Sequence, residues 1–262
     1  MPSSTSPHLS PEDLQDCERQ ITVTAEHSHT TPMIKSAFNM NDKKLILASG
    51  SPRRNELLRL LGIPFSKRPA DIDESKHESE SPKQYVERMA REKGEAVEAL
   101  ADELVLSADT IVDLEGLVLG KPVDQEDARR ILKLMRGKVH RVHTALSLNF
   151  GEENTVACEV CLTEVTMRDY SNEEIEAYLA RGDYRDKAGG YAIQDSQFHP
   201  VAKIEGCYAN VMGLPLCHVY RLLRQAGLSM DGDIAVLCQR YNDINCEVYP
   251  SILNEQKNEI DI

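Results

Sequence analysis

The sequence predicts a mixed α/β domain. Apolar runs of strand length alternate with longer stretches of helical spacing. Helix starts carry Ser-Pro or a capping box and helix ends carry Gly, while no internal repeat is visible. The chain has 262 residues, of which 41% are hydrophobic and 28% charged, enough for one sizeable core plus tails. Trp is absent and aromatics make up 5%, so the core must be built largely from aliphatic side chains.

In chain order, the apolar run from Lys44 to Ser49 reads as a strand, followed by a helix from Arg53 to Leu61 closed by Gly62. Ser81-Pro82 opens a second helix reaching about Leu100. Its apolar face reads Tyr85, Met89, Ala96 and Leu100, with Arg88 and Arg91 as solvent-facing charges. Leu104 to Ala108 is a buried-type strand that Thr110 to Val112 continues, and Gly116 turns the chain back toward Lys121-Pro122. A helix from Asp124 to Arg136 ends at Gly137. Val139 to Asn149 and Thr155 to Met167 alternate as paired strands around a turn at Gly151. Ser171-Asn-Glu-Glu174 has capping-box spacing and starts a helix running to Arg181. A loop from Gly182 to Gly190, short strands and a helix from Leu216 to Gln225 complete the pattern.

Residues 1–42 are rich in Ser, Thr, Pro, His and acids without an apolar period, and read as a disordered extension. The folded unit is expected over 43–228, followed by a C-terminal extension over 229–262 that either docks or stays mobile. No apolar run approaches the roughly 18 residues of a membrane span. The N-terminus has neither secretory nor transit-peptide character, so a soluble, cytoplasmic protein is expected. A net charge of −13 argues against stable binding along nucleic acid but not against a small anionic ligand. The seven cysteines read as reduced thiols, and Cys158-Glu-Val-Cys161 lies in a strand-like run without a second ligand pair.

Ser49-Gly-Ser-Pro-Arg-Arg54 joins a strand to a helix, which points backbone N–H groups and two guanidinium forks at one place. Taken alone it reads equally as an anion site or a solvated basic pair. Lys93 shares the apolar face of the second helix, four residues after Met89, and either snorkels past the core edge or enters a cleft. Asp109 directly follows an apolar strand, at the C-terminal strand end where α/β folds bind ligands. Lys121 lies on the neighbouring return segment, and Glu74 in an acidic turn that could equally be a solvated loop. Together these cations and carboxylates are what metal-assisted phosphoryl chemistry requires.

With Ala108-Asp-Thr-Ile-Val112, Gly120-Lys-Pro122 and Lys187-Ala-Gly-Gly-Tyr-Ala-Ile-Gln194 in order behind that first segment, the chain resembles the Maf family of nucleoside triphosphate pyrophosphatases over about Lys44 to Gly227. The resemblance implies an inosine triphosphatase-like mixed sheet in two lobes with a central cleft. It implies that Ser49, Arg53, Lys93 and Lys121 hold the triphosphate. Glu74 and Asp109 would bind Mg²⁺ or Mn²⁺ and activate water, either of them serving as the base. Arg54, Thr110 and Gln194 match positions of the branch preferring dTTP and UTP, with modified pyrimidine nucleotides as further candidates. The Gln194 amide can pair with the O4/N3–H edge of uracil or thymine. Asp195 stands where the family commonly has Gly, which places a negative charge beside the expected base pocket. Homodimers are frequent in the family, so a homodimer is a further possibility. The competing reading is a non-catalytic nucleotide-binding regulator of cell division on the same fold.

Overall fold

The computed structural model of the protein describes residues 43–150, 156–228, 230 and 232–254. The N-terminal extension expected over 1–42 and the turn at Gly151 lie outside the described residues. Among the described residues, seven strands form one mixed sheet: β1 (Lys44–Leu47), β2 (Phe65–Lys67), β3 (Glu103–Leu114), β4 (Leu117–Leu119), β5 (Val139–Phe150), β6 (Val156–Met167) and β7 (Val201–Glu205). Their order is β2-β1-β3-β5-β6-β7, with β4 paired to β3. β2, β1 and β3 run parallel, and the remaining pairs are antiparallel.

Helices fill the connections as the capping signals require. Ser51 caps α1 (Pro52–Arg59), with Pro at its first position. Full capping boxes open α2 (Pro82–Glu95) and α4 (Asn172–Arg181), through Ser81/Gln84 and Ser171/Glu174. Asp124 caps α3 (Gln125–Met135), accepting from the Asp127 N–H at 2.8 Å. A short α5 (Tyr208–Val211) leads into α6 (Leu216–Gln225), α7 (Ile234–Asn242) and α8 (Tyr249–Asn254).

The helices cover both faces of the sheet. Ile111 and Ala145 pack under Val86 and Ala90 of α2. The buried face of α2 is therefore Val86, Met89, Ala90 and Gly94, while Leu100 lies beyond the helix end and is exposed. Ala96 is the helix's C-terminal cap and is exposed, so it is not part of that face either. On the opposite face, Leu104, Leu106 and Ala108 join a cluster with Leu57, Leu58, Leu214, Leu216 and Leu223. Val112, Leu114, Val142 and Val165 join a second cluster with Ile131, Leu132, Ile175 and Tyr178. Each such aliphatic side chain contributes roughly 1.5–3 kcal/mol by leaving water.

The C-terminal segment docks where it is described. Ile234, Ala235 and Cys238 are buried, and Ile234 and Cys238 belong to the first cluster. Arg221 of α6 forks onto Glu159 of β6 and donates to the Ile252 carbonyl of α8 at 3.2 Å.

The edge of β3 explains where a cleft can open. β1 pairs with β3 from Glu103 to Leu106, and β4 pairs with the same edge from Val112 to Leu114. Between them, Ala108 to Ile111 carry no strand on that side among the described residues, although β5 pairs along the other. Sheet edges with unpaired backbone need partners, and here a side chain supplies one.

Candidate active site

That gap forms the floor of a cleft of about 630 Å³. The cleft is lined by Ser49, Gly50, Ser51, Arg53 and Arg54, by Glu74, Tyr85 and Lys93, by Asp109 and Thr110, and by Lys121, Asp186 and Lys187. The structure thus brings together every residue singled out from the sequence except Gln194. Gln194 is exposed on the turn after Tyr191 and is not among the lining residues.

Asp109 does not stand at the end of its own strand. It lies in the interior of β3, and what ends there is the parallel partner β1, whose last pair is Leu47 with Leu106. The crevice at the carboxyl end of β1 therefore places Asp109 at a ligand position, while continued pairing with Ala145 of β5 keeps its backbone rigid. Lys93 Nζ stands 2.6 Å from Asp109 Oδ1 and 2.8 Å from Glu74 Oε1, bridging the two carboxylates. The Lys93 and Asp109 side chains are 11% and 12% exposed, whereas Glu74 is 55% exposed. Gly94 lets α2 press close enough to deliver Lys93. A Cβ there would fall 2.9 Å from Ser107 Oγ and 3.0 Å from Asn149 Nδ2.

The loop carrying Glu74 is fastened to the same helix. Tyr85 Oη donates to the Glu74 carbonyl at 2.7 Å, and Arg88 Nη2 donates to the Ser75 carbonyl at 2.8 Å. Arg88 also forks onto Glu80 and pairs with Glu92, so it is a loop anchor and not the solvent-facing charge expected. Burial, reinforced by Asp109 and Glu74, pushes the Tyr85 hydroxyl up to about 12, so it stays a donor at neutral pH.

The two adjacent arginines separate completely. Arg54 donates through Nε to the Gly213 carbonyl at 2.8 Å, through Nη1 to the Ala108 carbonyl at 2.7 Å and to Ser49 Oγ at 3.4 Å, and through Nη2 to Thr110 Oγ1 at 3.0 Å. It plugs the unpaired edge of β3, and its side chain is spent on the protein. Burial lowers its pKa, with the neighbouring charge of Asp109 opposing. Gly213, at φ +99°, lets its own carbonyl reach that guanidinium. Thr110 continues the network to Thr144 Oγ1 at 2.9 Å, and Thr144 donates to the Asn210 carbonyl at 3.0 Å. Arg53, by contrast, meets among the described residues only the Asp186 carbonyl at 3.1 Å and its carboxylate at 3.9 Å, and its buried Nε has no hydrogen-bond partner among them. Lys121 is exposed beside it, on a segment tied to the turn Ala188–Gly190 by the Gly189 N–H to Gly120 carbonyl bond at 3.0 Å.

Asp195 places no charge in the cleft. Its carboxylate pairs with Arg181 and accepts from the N–H groups of Gln197 and Phe198 at 3.0 and 2.7 Å. The residues that sequence reasoning missed are Tyr85 and Arg88 as supports, and Asp186 and Lys187 as lining. Tyr85 was visible only as an apolar helix position, and Lys187 only as the start of a motif without a role.

No group of three or more His, Cys, Asp or Glu poised for a metal occurs among the described residues. The Glu74–Asp109 pair nevertheless suits a hard cation that takes one or two carboxylates and completes its shell from water and phosphate. Both carboxylates already converge on a single positive atom, Lys93 Nζ. No helix among the described residues is long and apolar enough to cross a membrane.

Fold and site together define an α/β protein with a deep cleft that carries a carboxylate pair on one wall and cations on the other. The profile of the Maf-like protein family matches residues 44–226, and the chain belongs to that family. It is 49% identical over 185 residues to a dTTP/UTP pyrophosphatase of Thermomicrobium roseum, covering 70% of this chain and 84% of that one. It is 44% identical over 189 residues to a dTTP/UTP pyrophosphatase of Geobacter sp. strain M21, covering 72% and 98%. A dTTP/UTP pyrophosphatase of Hahella chejuensis is 43% identical over 201 residues, covering 74% and 98%. Among solved structures, the Ham1 protein of Staphylococcus aureus overlaps 48% of this chain and 73% of its own, at 11% identity and a TM-score of 0.35.

Proposed function

We propose that the protein hydrolyses nucleoside triphosphates of the dTTP and UTP class between the α- and β-phosphates, releasing a nucleoside monophosphate and pyrophosphate. The carrying observation is the Lys93 bridge between Asp109 and Glu74, in one cleft with Arg53, Ser49 and Lys121. The names of the relatives support the substrate class.

Arg53, Lys93 and Lys121 hold the triphosphate and offset the charge that gathers on the leaving pyrophosphate. Ser49, at the end of β1, hydrogen-bonds the Ser51 N–H at 3.2 Å and shapes the turn where phosphate oxygens approach the start of α1. Asp109, on a rigid strand and nearly buried, takes the proton of the attacking water. Glu74, on a more exposed loop, completes the pair. Mg²⁺ or Mn²⁺, held by Glu74 and Asp109, would supply charge neutralisation on the phosphate oxygens. Lys93 sets the spacing of the two carboxylates and supplies a fixed positive charge beside them.

Arg54 acts behind the site, holding Thr110 and the Gly213 loop, so its share in nucleotide choice runs through the shape of the base end of the cleft. A direct contact of Gln194 with the base requires the turn after Tyr191 to move inward. Gln194→Ala tests that contact through the ratio of dTTP to GTP turnover.

The decisive experiment is pyrophosphate release from a panel of nucleotides with Mg²⁺ and with Mn²⁺. Fastest release from dTTP and UTP is expected. Nucleotide binding without any release would establish a sensor instead.

A further inference from the structure

Lys187 and Asp186 line the cleft, yet the scheme above gives them no task. The Lys187 side chain is only 12% exposed, with its Nζ 2.6 Å from Asp186 Oδ1 and donating to the Asp183 carbonyl. The other oxygen of the same carboxylate, Asp186 Oδ2, faces Arg53 Nη2 at 3.9 Å. One carboxylate therefore spans two cations that come from distant parts of the chain. Beside it, the Arg53 Nε is buried without a hydrogen-bond partner among the described residues. A buried guanidinium N–H without an acceptor is costly unless a ligand supplies one.

The backbone fixes this arrangement from behind. Lys187 immediately precedes the turn Ala188–Gly190. Gly189 there donates to Gly120, and a Cβ on Gly190 would meet Pro122 at 2.9 Å. Lys187 and Lys121 thus sit on two straps in contact, and both line the same cleft as Arg53.

We propose that Lys187 is a phosphate-binding residue, paired with Arg53, and that Asp186 is a built-in competitor occupying their charges until a phosphate group displaces it. A phosphate group offers more acceptor oxygens and more charge than a carboxylate, so it wins the exchange while Asp186 keeps the cations apart and oriented beforehand. Although burial works against it, the Lys187 hydrogen bond and the Arg53 charge hold the Asp186 carboxyl below its ordinary range, so it is ionised at neutral pH.

The inference rests on the pyrophosphatase reading for its substrate, but not for its test. Binding of inorganic pyrophosphate to the full-length protein, with and without Mg²⁺, is measured by calorimetry, and dTTP turnover is measured alongside. Lys187→Met should weaken pyrophosphate binding about tenfold, the worth of one charge-assisted hydrogen bond, and raise KM for dTTP by a similar factor with a smaller change in kcat. Lys187→Arg should restore most of that loss. Asp186→Asn should act in the opposite direction, tightening pyrophosphate and lowering KM several-fold, whereas a merely structural ion pair would lose affinity on either substitution. Unchanged pyrophosphate affinity in Lys187→Met, or weaker affinity in Asp186→Asn, overturns the proposal. Should Lys187→Met fail to fold, the sign of the Asp186→Asn effect decides alone. Pyrophosphate bound as predicted by a protein that turns over no nucleotide would uphold this inference while refuting the pyrophosphatase reading.

Discussion

The two walls of the cleft hold their charges in different ways. On the wall built by α2 and β3, the carboxylates of Glu74 and Asp109 converge on the single charge of Lys93 within hydrogen-bond distance, and Tyr85, Arg88 and Gly94 fasten them from behind. On the wall built by the start of α1 and the two straps, Arg53, Lys121 and Lys187 outnumber the one carboxylate that faces them, and a donor of Arg53 is left unpaired. A fastened set with one carboxylate charge to spare is suited to placing a cation and to chemistry that needs fixed positions. An under-neutralised set is suited to capturing an anion. Substitutions on the first wall should act on the rate or on its Mg²⁺ requirement, and those on the second on affinity for the nucleotide.

The largest effect is expected at Asp109. Asp109→Asn keeps an acceptor for Lys93 but removes the proposed base and one proposed metal ligand, and should cut kcat roughly 10³-fold. An unaltered circular dichroism spectrum should accompany that loss. Near-normal turnover of dTTP and UTP in this variant would dissolve the distinction between the walls.

The adjacent arginines give the next contrast. Arg54→Met strips partners from the carbonyls of Ala108 and Gly213 in a buried setting, at about 3 kcal/mol. Thermal unfolding should drop by roughly 6–12 °C for a domain of this size. Arg53→Met should leave the melting temperature within a degree or two and raise KM for dTTP instead. Equal melting temperatures for the two variants would remove Arg54 from its role as the plug of the sheet edge.

Acid should weaken the support of the second wall. Tyr191 lines the cleft there and hydrogen-bonds His140 Nε2 at 2.8 Å. Burial, against a weaker pull from Asp113, lowers the His140 pKa from 6.5 to about 4. Because the folded value lies below the unfolded one, the unfolded chain binds more protons between those limits. This group's contribution to stability is complete above pH 6.5 and is lost as pH falls toward 4, by about 3 kcal/mol in all. His140→Asn should flatten the dependence of melting temperature on pH across that window. An unchanged slope would place the acid sensitivity elsewhere, with the buried His218 next to be examined.

What could be read from the sequence follows from the range of each interaction. Capping boxes, Ser-Pro starts and alternating strands are local, and the Ser81-Pro82 start, the Ser171/Glu174 box and the β5–β6 pair lie where the sequence puts them. Asp109, Lys93 and Lys121 were visible because their flanking motifs are local too. Arg53 and Arg54 were told apart only by the family resemblance, because the physical difference between them depends on Gly213 and Asp186, more than a hundred residues away. Gln194 was legible only as a motif member, and the turn that points it outward is set by Asp195 bonds to Phe198 and Arg181. Asp186 lay in the loop Gly182 to Gly190 and Lys187 began a motif, but neither had a role until the fold brought Arg53 to them.

The smallest effect, and the sharpest test of the first wall, lies at Tyr85. Its hydroxyl touches the backbone of Glu74 and not the carboxylate, so Tyr85→Phe alters where Glu74 stands without altering its charge. One neutral hydrogen bond is worth about 1 kcal/mol, and Arg88 still ties the next residue, Ser75. If that wall works by fixed placement, the loosened loop should raise the Mg²⁺ concentration needed for half-maximal rate about fivefold. The rate at saturating Mg²⁺ and KM for dTTP should both stay near normal. Arg88→Met, which releases Ser75 and Glu80 together, should give a larger shift in the same direction. A fall in kcat with an unchanged Mg²⁺ requirement would mean that the Tyr85 hydroxyl meets the substrate, and that this wall is not the closed, fastened unit its hydrogen bonds describe.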